Sequence, residues 1–244
     1  MNADELAFDL PGGAHALFTT RAHGNLSSVG GDGAEHGLHA REQLRKRLGL
    51  GRLVRGYQVH GTTVRRVHAG GEGREARGEI GTAVDTETQP HVEADGQATA
   101  LRGIGAMVLT ADCLPVALGS SGVVAMVHAG WRGLAAGVLE EGVRAVRELG
   151  GAGEMVAVVG PGAGPCCYEV GEELHARFAA YGPQVRRGRN LDLPLIARRQ
   201  LEAAGVADIR ALGICTICAD PALFFSHRRD HGVTGRQAGV AWLT

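Results

Sequence analysis

The sequence predicts one mixed α/β domain over residues 1–244, with strands and helices interleaved around a common core. Three observations carry this expectation. Apolar runs of strand length alternate with helix-period segments through the middle of the chain, and no second periodic block stands apart as a separate core. The only linker-like stretch, AGGEGREARGEIG at 69–81, reads as a surface loop. With 44% hydrophobic and 21% charged residues the chain has the balance of a globular protein, and its 39 glycines, scattered without a collagen period, imply many tight turns.

Taken in order, AEHGLHAREQLRKRLGL (34–50) reads as a helix with Leu38, Leu44 and Leu48 roughly on one face and Gly49 and Gly51 at its end. LVRGYQVHG and TTVRRV (53–67) read as strand, turn, strand. IGAMVLT (104–110) and VVAMVHA (123–129) are apolar strands, LAAGVLEEGVRAVRELGG (134–151) is a helix ended by glycines, and MVAVVGP (155–161) is a further strand. Helices near 171–181 and 193–204, a strand near 208–214 and a last strand GVAWL (239–243) complete the pattern. No G-x-G-x-x-G follows a strand and no Walker loop occurs. GPGAGPCC (160–167) is superficially similar, but its two prolines indicate a rigid turn.

A net charge of −1 without a long Lys/Arg block argues against nucleic acid or an anionic membrane as the main partner and favours a small molecule. MNADELAFDL lacks the basic and apolar regions of a signal peptide, and no run approaches the ~18 apolar residues of a membrane span. A cytoplasmic location is expected. The five cysteines (113, 166, 167, 215, 218) form an odd set, which fits reduced thiols better than an exported disulfide framework.

Three segments, YQVHG (57–61), LTADCLPV (109–116) and MVHAGWRG (126–133), each end an expected strand with a metal-capable side chain. Zinc takes thiolate, imidazole and carboxylate ligands, and a catalytic zinc keeps one position open for water or substrate. His60, Cys113 and His128 together form such a set. Singly, each reads as a structural histidine or a small buried thiol, and His15, His23, His36, His39, His68, His91, His175, His227 and His231 remain competitors. CTIC places Cys215 and Cys218 at C-x-x-C spacing, but a zinc ribbon needs two such pairs, so a reduced structural loop is expected there. RRDHGVTGR (228–236) sets Arg228, Arg229 and Arg236 near a Gly-rich turn suited to a phosphate or carboxylate, or to a solvated basic loop.

Through QVHGT, TADCLPV, VHAGWRG, GPCCYEVG, CT-x-C, FFSHRRD and TGRQAGVAWL the sequence resembles the YfiH-like family, also called the laccase-domain or multicopper polyphenol oxidoreductase family. The likeness runs from about residue 53 to the C-terminus, with the motifs in the family's order. Upstream, FTTRAHGNLSSVGGD (18–32) looks like a degenerate form of the family's Gly/Asn/Asp-rich segment, and Arg41 follows Ala40 where the family often has Asn. The resemblance implies a compact α+β or α/β fold with mixed sheets flanked by helices, related to cysteine hydrolases. It also implies an active centre of two His and one Cys, mapping onto His60, Cys113 and His128. The activities it brings are phosphorolysis of purine nucleosides and methylthioadenosine, adenosine deamination, copper-dependent polyphenol oxidation and peptidoglycan precursor editing. Fold cannot choose among them.

The first functional reading is a zinc-dependent purine nucleoside enzyme acting on adenosine, inosine and methylthioadenosine. Zinc suits hydrolytic deamination directly. Phosphorolysis also needs the phosphate charge offset, for which Arg132, or Arg228, Arg229 and Arg236, are candidates. Asp112 is either a proton carrier or a residue that fixes its loop. The second reading is a copper oxidase, since one Cys with two His can form a blue-copper-like set. Several copper sites would be needed, however, and no H-x-H pair occurs. The third is a metal-free cysteine hydrolase with Cys113 as nucleophile and a His as base.

Overall fold

The computed structural model describes residues 6–69 and 92–244. The stretch expected as a surface loop at 69–81 lies, beyond Ala69, outside the described residues. The chain opens with a hairpin, β1 (Ala7–Leu10) and β2 (Ala14–Phe18), followed by α1 (Gly37–Arg47), β3 (Arg52–Val54), β4 (Val64–Val67) and β5 (Gly96–Thr99). Three strands follow: β6 (Ile104–Thr110), β7 (Leu114–Ser121) and β8 (Val123–Ala129), of which β7 and β8 pair antiparallel. Then come α2 (Trp131–Ala136), α3 (Val138–Glu148), β9 (Ala152–Val159), α4 (Glu172–Arg177), the short pair β10 (Arg186–Arg187) and β11 (Asn190–Leu191), α5 (Leu193–Ala203), β12 (Asp208–Ala211) and β13 (Gln237–Leu243).

These strands form a five-stranded sheet in the order β1-β2-β13-β6-β3 and a six-stranded sheet in the order β12-β9-β7-β8-β5-β4, both mixed. The sheets face each other across an apolar layer. Phe18, Ala106, Val108 and Ala241 come from one, and Ala117, Val124, Met126, Val156 and Val158 from the other. The outer face of the six-stranded sheet is covered by α3 and α5, which bury Leu139, Val143, Val146, Ile196 and Leu201 against it. Leu44 of α1 covers Leu17, Leu53, Met107 and Val240 on the other sheet. Strands buried on both faces need no polar alternation, which is why VVAMVHA reads as a continuous apolar run. Among the described residues no helix is long and apolar enough to cross a membrane.

Several elements differ from the sequence expectation. The two strands in 53–67 are not a hairpin, because β3 pairs with β6 and β4 with β5 in separate sheets. The helix expected at 134–151 breaks at Gly137, whose φ of 89° lies in the left-handed region that glycine tolerates. The helix near 171–181 stops at Arg177 and continues only as a 3₁₀ turn, Ala179–Tyr181. Finally, β1, β2, β5, β7, β10 and β11 have no counterpart in the sequence expectation; β7 carries Pro115 at its second residue, where it cannot donate a ladder hydrogen bond.

Candidate active site

The centre is built at one end of the six-stranded sheet. Cys113 occupies the turn between β6 and β7, next to Asp112, whose φ of 87° is uncommon for a residue with a side chain. Hydrogen bonds hold that conformation. Thr216 Oγ1 donates to Asp112 Oδ1 (2.6 Å), the Arg228 amide to Oδ2 (2.7 Å) and the Ala163 amide to the Asp112 carbonyl (2.7 Å). His128 lies inside β8, opposite Pro115 of β7. His60 sits in the loop between β3 and β4, with φ 59°. The expectation that each ligand ends a strand therefore holds for Cys113, whereas His128 is a strand residue and His60 a loop residue.

Sequence reasoning missed the group that unites them. Asp95 is fully buried, and its Oδ1 accepts from His128 Nδ1 (2.8 Å) and the His60 amide (2.9 Å). Its Oδ2 accepts from the amides of Gly61 (2.7 Å) and Val59 (3.2 Å). Burial opposes ionisation, yet the His128 hydrogen bond and these amides keep the Asp95 carboxyl below its ordinary pKa. A carboxylate on Nδ1 fixes the tautomer of the imidazole and leaves Nε2 for the centre. The only sequence signal was a lone Asp ahead of the small-residue run GQAT, which nothing in the chain ties to residue 60 or 128.

The ligand atoms of His60, Cys113 and His128 all lie within 4.8 Å of one another, and the two rings meet edge to face at 4.9 Å. Gly130 makes room for them. A Cβ there would stand 2.8 Å from Cys113 Sγ and 3.1 Å from His60 Cδ2. Burial resists charging Cys113, but the His128 charge and hydrogen bonds from both histidines outweigh it and hold the thiol at about 6. Burial likewise opposes charge on His128, and the Cys113 and Asp95 charges reverse it, raising His128 to about 9. One thiolate and two imidazole nitrogens clustered around a cradle kept clear by glycine fit the donor set of a catalytic zinc. The same pair also has the form of an activated thiol with its base. Among the described residues no other histidine joins this group, and His91 lies outside them.

The expected arginines divide. Gln237 pairs with Thr110 at the end of β6, so Arg236 stands beside the Asp112–Cys113 turn. It is half-buried, which lowers its pKa against the opposing charges of Cys113 and Asp112. Its backbone is held by Asn25, whose Oδ1 accepts from the Arg236 amide at 2.9 Å, giving the 18–32 segment a positioning task. Arg228 lies over the Tyr168 ring at 5.2 Å and donates to the Glu169 carbonyl. Arg132, the second residue of α2, stacks on Trp131 at 4.4 Å. Arg229 is turned inward, donating to the Thr216 and Phe224 carbonyls and to Asp230. Arg41 is buried and donates to the Leu26 carbonyl. Tyr168 itself was not foreseen. Burial, with the Cys113 charge, pushes its phenol up to about 12, so it stays a neutral hydroxyl.

The expectation of an isolated CTIC pair needs correction. Cys215 and Cys218 are joined in space by Cys166 and Cys167, because the turns carrying the two pairs follow neighbouring strands.

A family described as multi-copper polyphenol oxidoreductase laccase matches residues 12–244. The chain belongs to this family. A purine nucleoside phosphorylase of Xylella fastidiosa is 38% identical over 96% of this chain and 89% of its own length. One of Streptomyces coelicolor is 38% identical, covering 96% and 98%. Among solved structures, YlmD from Geobacillus stearothermophilus superposes with a TM-score of 0.79 at 30% identity, covering 95% of this chain and 92% of that one. The mixed-sheet architecture described above is thus that of the laccase-like family.

Proposed function

We propose that this laccase-family protein is a purine nucleoside phosphorylase that also deaminates adenosine, with zinc held by His60, Cys113 and His128. The observation that carries the reading is the His60–Cys113–His128 cluster braced by buried Asp95 and bordered by the half-buried Arg236. The relatives named as purine nucleoside phosphorylases support it. Phosphorolysis forms a bond from a phosphate oxygen to ribose C1′ and breaks the C1′–N9 bond, the base leaving with the electron pair and taking up a proton. Arg236 and Arg228 offset the phosphate charge, the half-buried Arg236 with less screening by water than the exposed Arg228. Tyr168, a neutral hydroxyl beside Arg228, donates a hydrogen bond to the substrate. Asp95 keeps His128 in one tautomer and orientation throughout. When bound, zinc supplies Lewis-acid charge and lowers the pKa of water to roughly 7, which suits deamination. Adenosine, inosine and methylthioadenosine are the substrates expected.

A second reading, a thiol hydrolase, rests on one specific feature: Cys113, His128 and Asp95 form a nucleophile, base and orienting carboxylate in series. Chromatography of adenosine incubated with purified protein, with and without phosphate, tests the proposal. Phosphate-dependent release of adenine and ribose 1-phosphate is expected, with inosine as the deamination product. Arg236→Met should raise KM for phosphate much more than KM for nucleoside. No base release with phosphate present refutes phosphorolysis, and copper stoichiometries above one per chain with polyphenol oxidation would favour the oxidase.

A further inference from the structure

We propose that Cys166, Cys167, Cys215 and Cys218 form a second, structural metal site that takes one zinc ion in a closed four-thiolate shell. The site is set by topology. β9 and β12 are parallel neighbours, with Val159 opposite Ala211, so the chain leaves both strands at the same edge. Their following turns run on side by side: Gly162 bridges Cys215, the Gly162 amide donates to the Ile214 carbonyl (3.1 Å) and the Thr216 amide to the Gly162 carbonyl (3.0 Å). GPCC on one turn and CTIC on the other are thereby brought face to face, and all four Sγ atoms lie within 4.8 Å of one another.

Two features indicate a metal rather than four idle thiols. Tetrahedral zinc with Zn–S near 2.3 Å separates its sulfurs by roughly 3.8 Å, and Cys166 Sγ and Cys218 Sγ stand 3.5 Å apart with every cysteine unpaired. Cys215, the buried member, receives the Gly164 amide at 3.3 Å together with the amides of Ile217 and Cys218. Three N–H donors converging on one sulfur match a thiolate, since a neutral thiol is a weak acceptor. The glycine is needed for this approach, because a Cβ at Gly164 would stand 3.1 Å from Cys215 Cβ and 3.5 Å from Cys166 Sγ. Four thiolates suit zinc, which binds them tetrahedrally, and a filled shell leaves no position for substrate. Binding releases the remaining thiol protons to solvent.

The clip also reaches the active centre. Thr216, between the two cysteines of CTIC, holds the Asp112 carboxylate beside Cys113, and Tyr168, next to Cys167, lies under Arg228. An ion here joins the two turns that form this wall.

Metal analysis and thiol labelling of the Cys113→Ala variant, purified without added metal, test the proposal, because its only remaining thiols are these four. One zinc per chain is expected, with all four thiols unreactive toward a maleimide until a chelator under mild denaturation releases the zinc. Cobalt replacing zinc in the Cys113→Ala protein should give an intense near-ultraviolet thiolate-to-cobalt band, absent from Cys113→Ala/Cys166→Ser/Cys218→Ser. Four freely reactive thiols with no bound metal, a disulfide between any two of them, or an iron–sulfur chromophore would each overturn it. Labelling and cobalt spectra of the Cys113→Ala protein decide the matter even if the triple variant fails to fold.

Discussion

Replacing Asp95 by asparagine is the sharpest probe of how the centre is held. The carboxylate is fully buried and accepts four hydrogen bonds, from His128 Nδ1, and from the amides of His60, Val59 and Gly61. Asparagine keeps the shape but only one acceptor oxygen. Its NH₂ must face two of these four donors, whichever way the amide is turned. A fully buried orphaned donor costs ~1–3 kcal/mol, so two cost at most ~2–6 kcal/mol, less where the part-buried amides of Val59, His60 and Gly61 reach water, against the ~5–15 kcal/mol that holds a typical domain folded. Loss of the carboxylate behind a histidine ligand also lowers metal affinity by about 10–100-fold. Urea denaturation read by tryptophan fluorescence, and zinc titration against a competing chelator, measure the two effects separately. A variant within about 0.5 kcal/mol of wild type that binds zinc with unchanged affinity would refute the claim that Asp95 organises His60 and His128.

Three further outcomes follow from the same geometry. Gly130→Ala should fold normally, because φ at Gly130 is −77° and suits any residue, yet its Cβ would stand 2.8 Å from Cys113 Sγ; activity should fall about 100-fold with little change in thermal midpoint, and an active variant would mean the cradle is not needed. Cys113→Ala should lose phosphorolysis and deamination together, and stripping then restoring zinc in the wild type separates the readings: activity that survives complete chelation while still requiring Cys113 would replace the zinc mechanism with a thiol nucleophile. Arg229, with Thr234 and the Ser226 amide, holds the Asp230 carboxyl at about 2. Because that folded value is depressed, its stabilisation is fully present above the unfolded pKa of about 3.9 and is lost as pH falls toward 2; acid denaturation curves of Asp230→Asn should be flatter across that window, and identical slopes would refute the coupling.

Local pattern was enough for the elements whose burial is simple. Strands at 104–110 and 123–129 are apolar but for Thr110 and His128 because both sheet faces are covered, and the structure returns β6 and β8 with those bounds. The metal-capable side chains of the centre were legible as residue types in motifs, and Arg236 as part of its loop. What chain order cannot carry is pairing between distant segments. Asp95 becomes the shared acceptor only because β5 pairs with β8, setting Gly96 opposite Val127 and the Asp95 carbonyl against the His128 amide at 2.6 Å. The four cysteines form one cluster only because β9 and β12 lie side by side, whereas in the chain CTIC has no partner at ribbon spacing. The break at Gly137 is local instead. Helical periodicity continues across it, and only the backbone shows that Gly137 takes the left-handed conformation that caps α2 before α3 begins. Residue chemistry is written locally, but which groups share a donor, an ion or a turn is decided by strand order, since hydrogen-bonded ladders bring together residues that sequence distance keeps apart.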